Sequence, residues 1–432
     1  MADKGYFVIK NGEIVNSPSA KINGKFDVVI KDGKIIEIAE NINTDDHKKA
    51  EVIDAKGCWV MPAFVDMHVH LREPGFEYKE DIESGTKAAV HGGYGTVVAM
   101  PNTSPVVDDV SVVDYIVNRA KKVGSCNVLT TASITKNLDG KELTEMGRLI
   151  DAGAVGFTDD GKPVSDPAIM RLAMQYSLNF DALIMSHCEE LALSKGGTMN
   201  ESYTSISLGL KGIPAAAEES MVARDIFLAE TYGARLHICH VSTKRSLELI
   251  KKAKEDGVKV TCETAPHYFS ANEEWVAQTG YDTNTKMNPP LRSKDDMEYV
   301  KKALADGTID AIATDHAPHH PDEKFVEYDN ALNGIIGLET AFSLGITNLV
   351  KEGTLSPNQL VDKMSYSPSK ILGIDKGEIL QGADADITIA DPNSDVVYSI
   401  DTLHGKSCNS PFLDRPYFGK ILHTFVGGIK RV

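Results

Sequence analysis

Eight short, apolar, β-rich runs recur through the middle of this chain: FVDMHVH, GTVVAM, NVLTTASI, AVGFT, ALIMSH, RLHICHV, KVTCET and IDAIATD. Helix-like stretches such as 79–91, 109–123 and 218–232 separate most of them. Near-continuous apolar strands alternating with helices predict a parallel sheet covered on both faces. Eight such units fit a closed (β/α)8 barrel of the TIM type; a doubly wound open sheet is the other architecture that the alternation allows.

The two ends of the chain read differently. Between residues 6 and 54 the segments YFVIKNGEIV, FDVVIKDGKIIEIA and AEVIDAKG are short, alternating and punctuated by Asn11-Gly12 and Asp32-Gly33. Both dipeptides favour two-residue hairpin turns, so a small antiparallel β unit is expected. A similar texture returns in ADADITIADP, DVVYSI and GKILHTFVGGIKRV. The expected organisation is one small β-sandwich domain built from residues 1–58 and 373–432, with a barrel over 59–372 inserted between them.

Composition narrows the function classes. Asp and Glu number 62 against 45 Lys and Arg, for a net charge of −17. Nucleic-acid binding rests on cations that neutralise phosphates, so a nucleic-acid partner is not expected. An acidic small molecule remains compatible, provided a few local cations or a metal offset the global field. The six cysteines lie scattered without a CxxC pair, mostly in apolar runs, which suits a reducing compartment. No stretch could span a bilayer and the N-terminus has no apolar leader core, so a soluble cytoplasmic protein is the expectation.

The chemistry concentrates at one edge of the predicted barrel. His68 and His70 end the first run, Asp159 and Asp160 follow AVGFT, His187 ends ALIMSH, His240 ends RLHICH, and Asp315 follows IDAIAT. Strand C-termini converge on the active-site face of a (β/α)8 barrel. Residues i and i+2 of a strand share a face, so His68 and His70 point together into the barrel mouth. Imidazoles and carboxylates together suit Zn²⁺ or a similar divalent ion.

One ion would take His68, His70, Asp315 and a shared carboxylate, and a second would take His187, His240 and the same carboxylate. Two ions polarising one water would lower its pKa towards ~7. Asp315 is placed to accept its proton as general base and to return it as general acid. His237, three residues before His240, is expected to face away as a structural residue. His91, His404 and His423 read as packing or surface residues, and His316 and His320 flank the candidates without joining them.

With those residues in place, the chain resembles the dihydroorotases of the amidohydrolase superfamily, of the bacterial class I type. The resemblance rests on MPAFVDMHVHLREPG, GGYGTVVAMPNTSPVVD, VGFTDDGKPV, SHCEE, HICHVST, TCETAPHYF, MNPPLR, ATDHAPH and GLETAF across the barrel. SPSKILGI and KGEILQGADADITIADP extend it into the terminal β domain. HLREPG with MPNT is specific to dihydroorotases and close relatives, whereas HxH marks only the superfamily.

The resemblance implies reversible closure of N-carbamoyl-L-aspartate to L-dihydroorotate, a step of pyrimidine biosynthesis, with two zinc ions bridged by Asp160 rather than Asp159. Its substrate contacts fall on His70, Arg72, Asn102, Asn288, His319, Asn333 and Gly334. Arg72 offers a planar fork suited to a substrate carboxylate. A homodimer is also implied, and association with aspartate transcarbamoylase is compatible with it.

Two departures matter. Hydantoinases, allantoinases and another dihydroorotase class bridge their metals with a carboxylated lysine; here the segment reads Gly156-Phe157-Thr158-Asp159-Asp160. Where the family often carries Phe-Gly, this chain has Asn333-Gly334. The charged segment 322–333 occupies a βα-loop position, where a lid over substrate and an ordinary solvated loop are equally expected.

Overall fold

The computed structural model describes residues 5–432. All eight apolar runs form strands of one parallel sheet, in chain order: β1 (Phe64–Val69), β2 (Tyr94–Ala99), β3 (Asn127–Ala132), β4 (Ala154–Phe157), β5 (Leu183–Ser186), β6 (Arg235–Ile238), β7 (Val260–Thr264) and β8 (Ala311–Ile312). The sheet closes on itself just beyond β8, where Val69 bridges His316 in parallel and the His70 N–H donates to the His316 carbonyl at 2.8 Å. This closure is the (β/α)8 barrel rather than the open sheet.

Asp66 secures the same seam from inside. Its carboxylate accepts from the His68 and Thr314 backbone N–H groups, each at 3.1 Å, and from the Thr314 hydroxyl at 2.6 Å. It is fully buried. The β1 register is irregular between Asp66 and Val69, so this side chain fixes the stretch of β1 that carries His68.

Helices cover the strands as the sequence pattern requires. The helix Ile82–His91 starts at Asp81, whose carboxylate caps the Ser84 N–H, and Val110–Val123 starts at Asp109 in the same way. Such caps satisfy donors that the first helical turn leaves unpaired. Within the barrel, Val65, Met67, Val98, Met100, Leu183 and Met185 pack into one apolar layer. The lumen is therefore a filled core beneath a polar mouth.

The chain ends form two further sheets that share one apolar core, with Ile9, Val28 and Ile30 packing beside Val60, Ile387 and Phe425. The first sheet runs Lys34–Ala39, Asp27–Lys31, Tyr6–Lys10, Glu51–Asp54. The second mixes both termini: Ile429–Lys430, Pro416–Val426, Ile387–Val397, Trp59–Pro62, Glu13–Ile14, Gly24–Lys25. Trp59–Pro62 lies in that second sheet, so sheet gives way to barrel at Ala63 rather than at the expected 58/59.

One turn expectation holds and one fails. Asp32 and Gly33 take φ of 52° and 85° and join antiparallel strands paired from Lys31 to Lys34, as a two-residue hairpin demands. Asn11-Gly12 makes no hairpin. Only Asn11 has positive φ, and the strands on either side belong to different sheets. Tyr6–Lys10 pairs parallel with Glu51–Asp54, while Glu13–Ile14 pairs parallel with Trp59–Pro62, so the unit is mixed rather than antiparallel. The dipeptide works as a crossover, pinned where the Asn11 amide donates to Asp54 at 2.8 Å.

Candidate metal and substrate site

The sequence candidates assemble at the C-terminal mouth of the barrel, around a cavity of about 210 Å³. His70, Arg72, Asn102, Asp160, His187, His240, Asn288, Asp315, His319, Asn333 and Gly334 all line it. His68 lies directly beneath, with no solvent exposure, 3.3 Å from Asp160. Gly161 and Ala317, which the sequence reading did not single out, complete the lining.

Asp160 is the hub. Its carboxylate faces His68 Nε2 at 3.3 Å, His187 Nδ1 at 3.5 Å, His70 Nε2 at 3.6 Å and His240 Nε2 at 3.7 Å. Asp315 faces His70 Nε2 at 3.1 Å and His68 Nε2 at 3.7 Å. Burial by itself would raise the Asp160 carboxyl, but the imidazoles of His68, His187 and His240 hold it well below the usual range. Burial acts on Asp315 in the same sense, and His70, His68 and His240 hold it low as well. Asp159 points elsewhere: it accepts from the backbone N–H groups of Ile134 and Thr135 and caps that loop.

The outer faces of the imidazoles set their tautomers. His68 Nδ1 lies 2.8 Å from Glu263 Oε1, His187 Nε2 lies 3.1 Å from Glu189 Oε2, and His70 Nδ1 lies 2.9 Å from Asn102 Oδ1. Each partner is an acceptor, so each of these nitrogens carries a proton, and the inward nitrogen is the one that would ligate a metal cation in place of its own proton. Inward nitrogens and carboxylate oxygens thus converge on one space. His68 Nε2 and Asp160 Oδ1 are buried and have no hydrogen-bond partner.

Such an arrangement is unfavourable unless a cation sits between the facing groups. The donor set therefore fits divalent ions. Ligand atoms of His68, Asp160 and His240, and separately of His68, His70 and Asp315, lie within 4.8 Å of one another. His187 Nδ1 joins from 2.9 Å beyond His240 Nε2.

Backbone strain collects at the same place. Arg72, His240 and Asp315 hold φ of 63°, 34° and 48°, a region that L-residues occupy sparingly. Arg72 is half-buried, and its Nε donates to the Pro318 carbonyl at 3.1 Å, which turns the guanidinium edge along the cavity. Burial lowers its pKa to about 10, so it stays cationic at neutral pH.

His319 is the opposite case. Burial, Arg72 and Lys79 together bring it to about 3, so the ring is neutral. Its Nε2 pairs with the Asn333 carbonyl at 2.8 Å. Asn102 spans His70 and Asp160, donating to the latter at 3.2 Å, and Asn288 donates to Glu189 at 2.7 Å. The two amides therefore brace the imidazole cluster as well as lining the cavity.

Known proteins place the chain in a family. A dihydro-orotase-like family model matches residues 57–246. The dihydroorotase of Acetivibrio thermocellus is 51% identical over 98% of this chain and 97% of its own length. That of Geobacter metallireducens is 51% identical over 98% of both. The chain belongs to the dihydroorotase family. Among solved structures, the L-hydantoinase (dihydropyrimidinase) of Arthrobacter aurescens superposes with a TM-score of 0.87 at 28% identity, over 98% of this chain and 95% of that one. A D-hydantoinase gives 0.85 at 26% identity, with the same coverage. This dihydroorotase-family chain thus shares the hydantoinase fold as well.

Two functional-looking acids escaped the sequence reading. Glu263 sits on β7, is 1% exposed, and links His68 to His237 Nε2, 3.3 Å from its other oxygen. His237 stays out of the cavity as expected, yet it touches the carboxylate that orients His68. Glu189 follows His187 by two residues in SHCEE. An acid at the end of an otherwise apolar strand was the available signal for Glu263, since burial there demands a partner. His316 accepts from the Gly337 N–H at 3.2 Å and His91 stacks on His404 at 3.3 Å, both outside the cavity.

Proposed function

We propose that this chain is a dihydroorotase of the bacterial class I type, which interconverts N-carbamoyl-L-aspartate and L-dihydroorotate in de novo pyrimidine biosynthesis in the cytoplasm. The observation that carries the substrate assignment is Arg72. It places a cationic edge in the same cavity as the His–Asp cluster, and the open substrate is a dicarboxylate. Full-length relatedness to proteins named dihydroorotase supports the same reading.

His68, His70 and Asp315 would hold one zinc ion and His187 and His240 a second, with Asp160 shared. When bound, the ions would supply Lewis-acid polarisation of the ring carbonyl and of the attacking water. The residues divide the remaining work. Asp315, with a side chain 13% exposed against 5% for Asp160, is the carboxylate open to substrate and carries the proton in both directions.

Arg72 grips the substrate carboxylate, with His319, Asn102 and Asn288 as neutral neighbours. Asn333 and Gly334 close the cavity opposite the imidazoles, where a side chain on Gly334 would meet Ala317 at 2.7 Å. Such positioning turns a two-body encounter into an oriented one.

The hydantoinase neighbours give a second reading, hydrolysis of a related cyclic ureide. The family resemblance sets Asp160 in place of the bridging lysine that it associates with hydantoinases, and Arg72 gives an acidic substrate a partner, so dihydroorotate is favoured. Zinc-loaded protein assayed on L-dihydroorotate, hydantoin and allantoin decides: turnover of the last two with none of the first would overturn the assignment. A homodimer, with or without aspartate transcarbamoylase, is carried by the family resemblance and is open to sizing of the purified protein alone and mixed.

A further inference from the structure

Lys324 is buried, at 5% exposure, although it belongs to the loop after β8 whose next residue, Phe325, is 94% exposed. A buried amino group needs partners, and its three are all backbone carbonyls. Nζ donates to Leu332 O at 2.8 Å, Gly334 O at 3.0 Å and Lys286 O at 3.3 Å. Leu332 and Gly334 flank Asn333 on the cavity wall, and Lys286 lies two residues before Asn288 on the loop after β7. One side chain thus ties together the two loops that face the imidazole cluster.

The tie sets local geometry. Asn333 O is held by His319 and Gly334 O by both Lys324 and the Asn409 amide, the latter at 3.1 Å. In a trans peptide the N–H points opposite the carbonyl it follows. With Leu332 O drawn to Lys324, the Asn333 N–H is turned the other way, and it has no acceptor among the described residues. Behind His319 a second cavity of about 200 Å³, lined in part by Lys324 and Asn409, leaves room for this wall to shift if the tie is lost.

We propose that Lys324 is a positioning residue for substrate: it fixes the 332–334 backbone so that the Asn333 N–H is presented to a carbonyl or carboxylate of the bound ureide. This rests on the dihydroorotase reading above. It also gives segment 322–333 a root fixed at Lys324 beneath an exposed crest at Phe325.

The test is steady-state kinetics of zinc-loaded, full-length Lys324→Met on L-dihydroorotate, with metal content and melting temperature measured alongside. Met keeps the length and removes the donors. KM should rise about tenfold or more, while kcat stays within about threefold and metal content is unchanged. Lys324→Arg, which keeps charge and donors, should recover part of the loss, and Phe325→Ala on the crest should match wild type. Should Lys324→Met fail to fold, Lys324→Gln, with one amide donor left, carries the same comparison. Wild-type KM in the neutral variant, or a loss that tracks metal release, overturns the proposal. Wild type inactive on dihydroorotate sinks the functional reading instead.

Discussion

Two buried aspartates, one in the terminal sheets and one at the barrel mouth, show how the two regions differ. Asp27 is 3% exposed and fully partnered: Lys10 Nζ at 2.6 Å, and the N–H groups of Asn11 and Ile42 at 2.9 Å each. Asp160 is 4% exposed and faces four imidazoles, yet one of its oxygens has no hydrogen bond at all. Asp27 is neutralised by the chain and needs nothing more. Asp160 is complete only when something cationic enters. Satisfied burial reports structure, whereas an unpartnered carboxylate oxygen ringed by imidazoles reports a missing ligand.

The sharpest way to break that contrast is to withdraw the ligand. Dialysis against a chelator should abolish dihydroorotate turnover, and zinc should restore it, while the apo protein keeps its secondary structure by circular dichroism. The terminal sheets contain no such dependence. Retention of full activity in protein shown by elemental analysis to be metal-free would end the reading of Asp160 as an incomplete group.

Asp315→Ala comes next. It removes the carboxylate that the cavity leaves most open, so kcat should fall by about 10²–10⁴-fold with modest change in KM. Unchanged turnover would show that the proton is carried elsewhere.

Glu263→Gln is smaller and more informative. The amide keeps the shape and can still accept from His68 Nδ1–H, but it loses the charge that strengthens that bond. Metal affinity, measured by competition with a chromophoric chelator, should weaken about 10–100-fold. Equal affinity would make Glu263 a core acid like Asp27, a structural group that happens to touch a ligand.

What could be read from the sequence divides along a similar line. The barrel and the imidazole wall were legible because both follow a period: apolar runs mark strands, and the polar residue at each strand end falls on one rim. The opposite wall follows none. Asn288, His319, Asn333 and Gly334 were found only through family resemblance, since their loops are shaped by side chain-to-backbone bonds such as those of Lys324 and Asn409. Asn11-Gly12 failed for a third reason. Its turn preference is local, and the flanking strands found stronger partners far away in sequence, beside 51–54 and 59–62.

The smallest expected effect tests the satisfied member of the pair. Burial opposes ionisation of Asp27, but the Lys10 ammonium and the two N–H groups hold its pKa below the ordinary carboxylate value. A carboxyl whose folded pKa is depressed contributes stability that is fully present above its unfolded pKa, about 3.9, and that is lost as pH falls through the lower folded value. Asp27→Asn should therefore lower unfolding stability at pH 7 by about 1–3 kcal/mol in urea, since it breaks the charged contact with Lys10. The gap from wild type should begin to narrow below about pH 4, where the unfolded carboxyl protonates, and close only as pH falls through the lower folded value. Dihydroorotate turnover at pH 7 should not move. Parallel stability curves down to pH 3 would show that Asp27 gains nothing from its charge, and a fall in turnover would show that the terminal sheets reach the site after all.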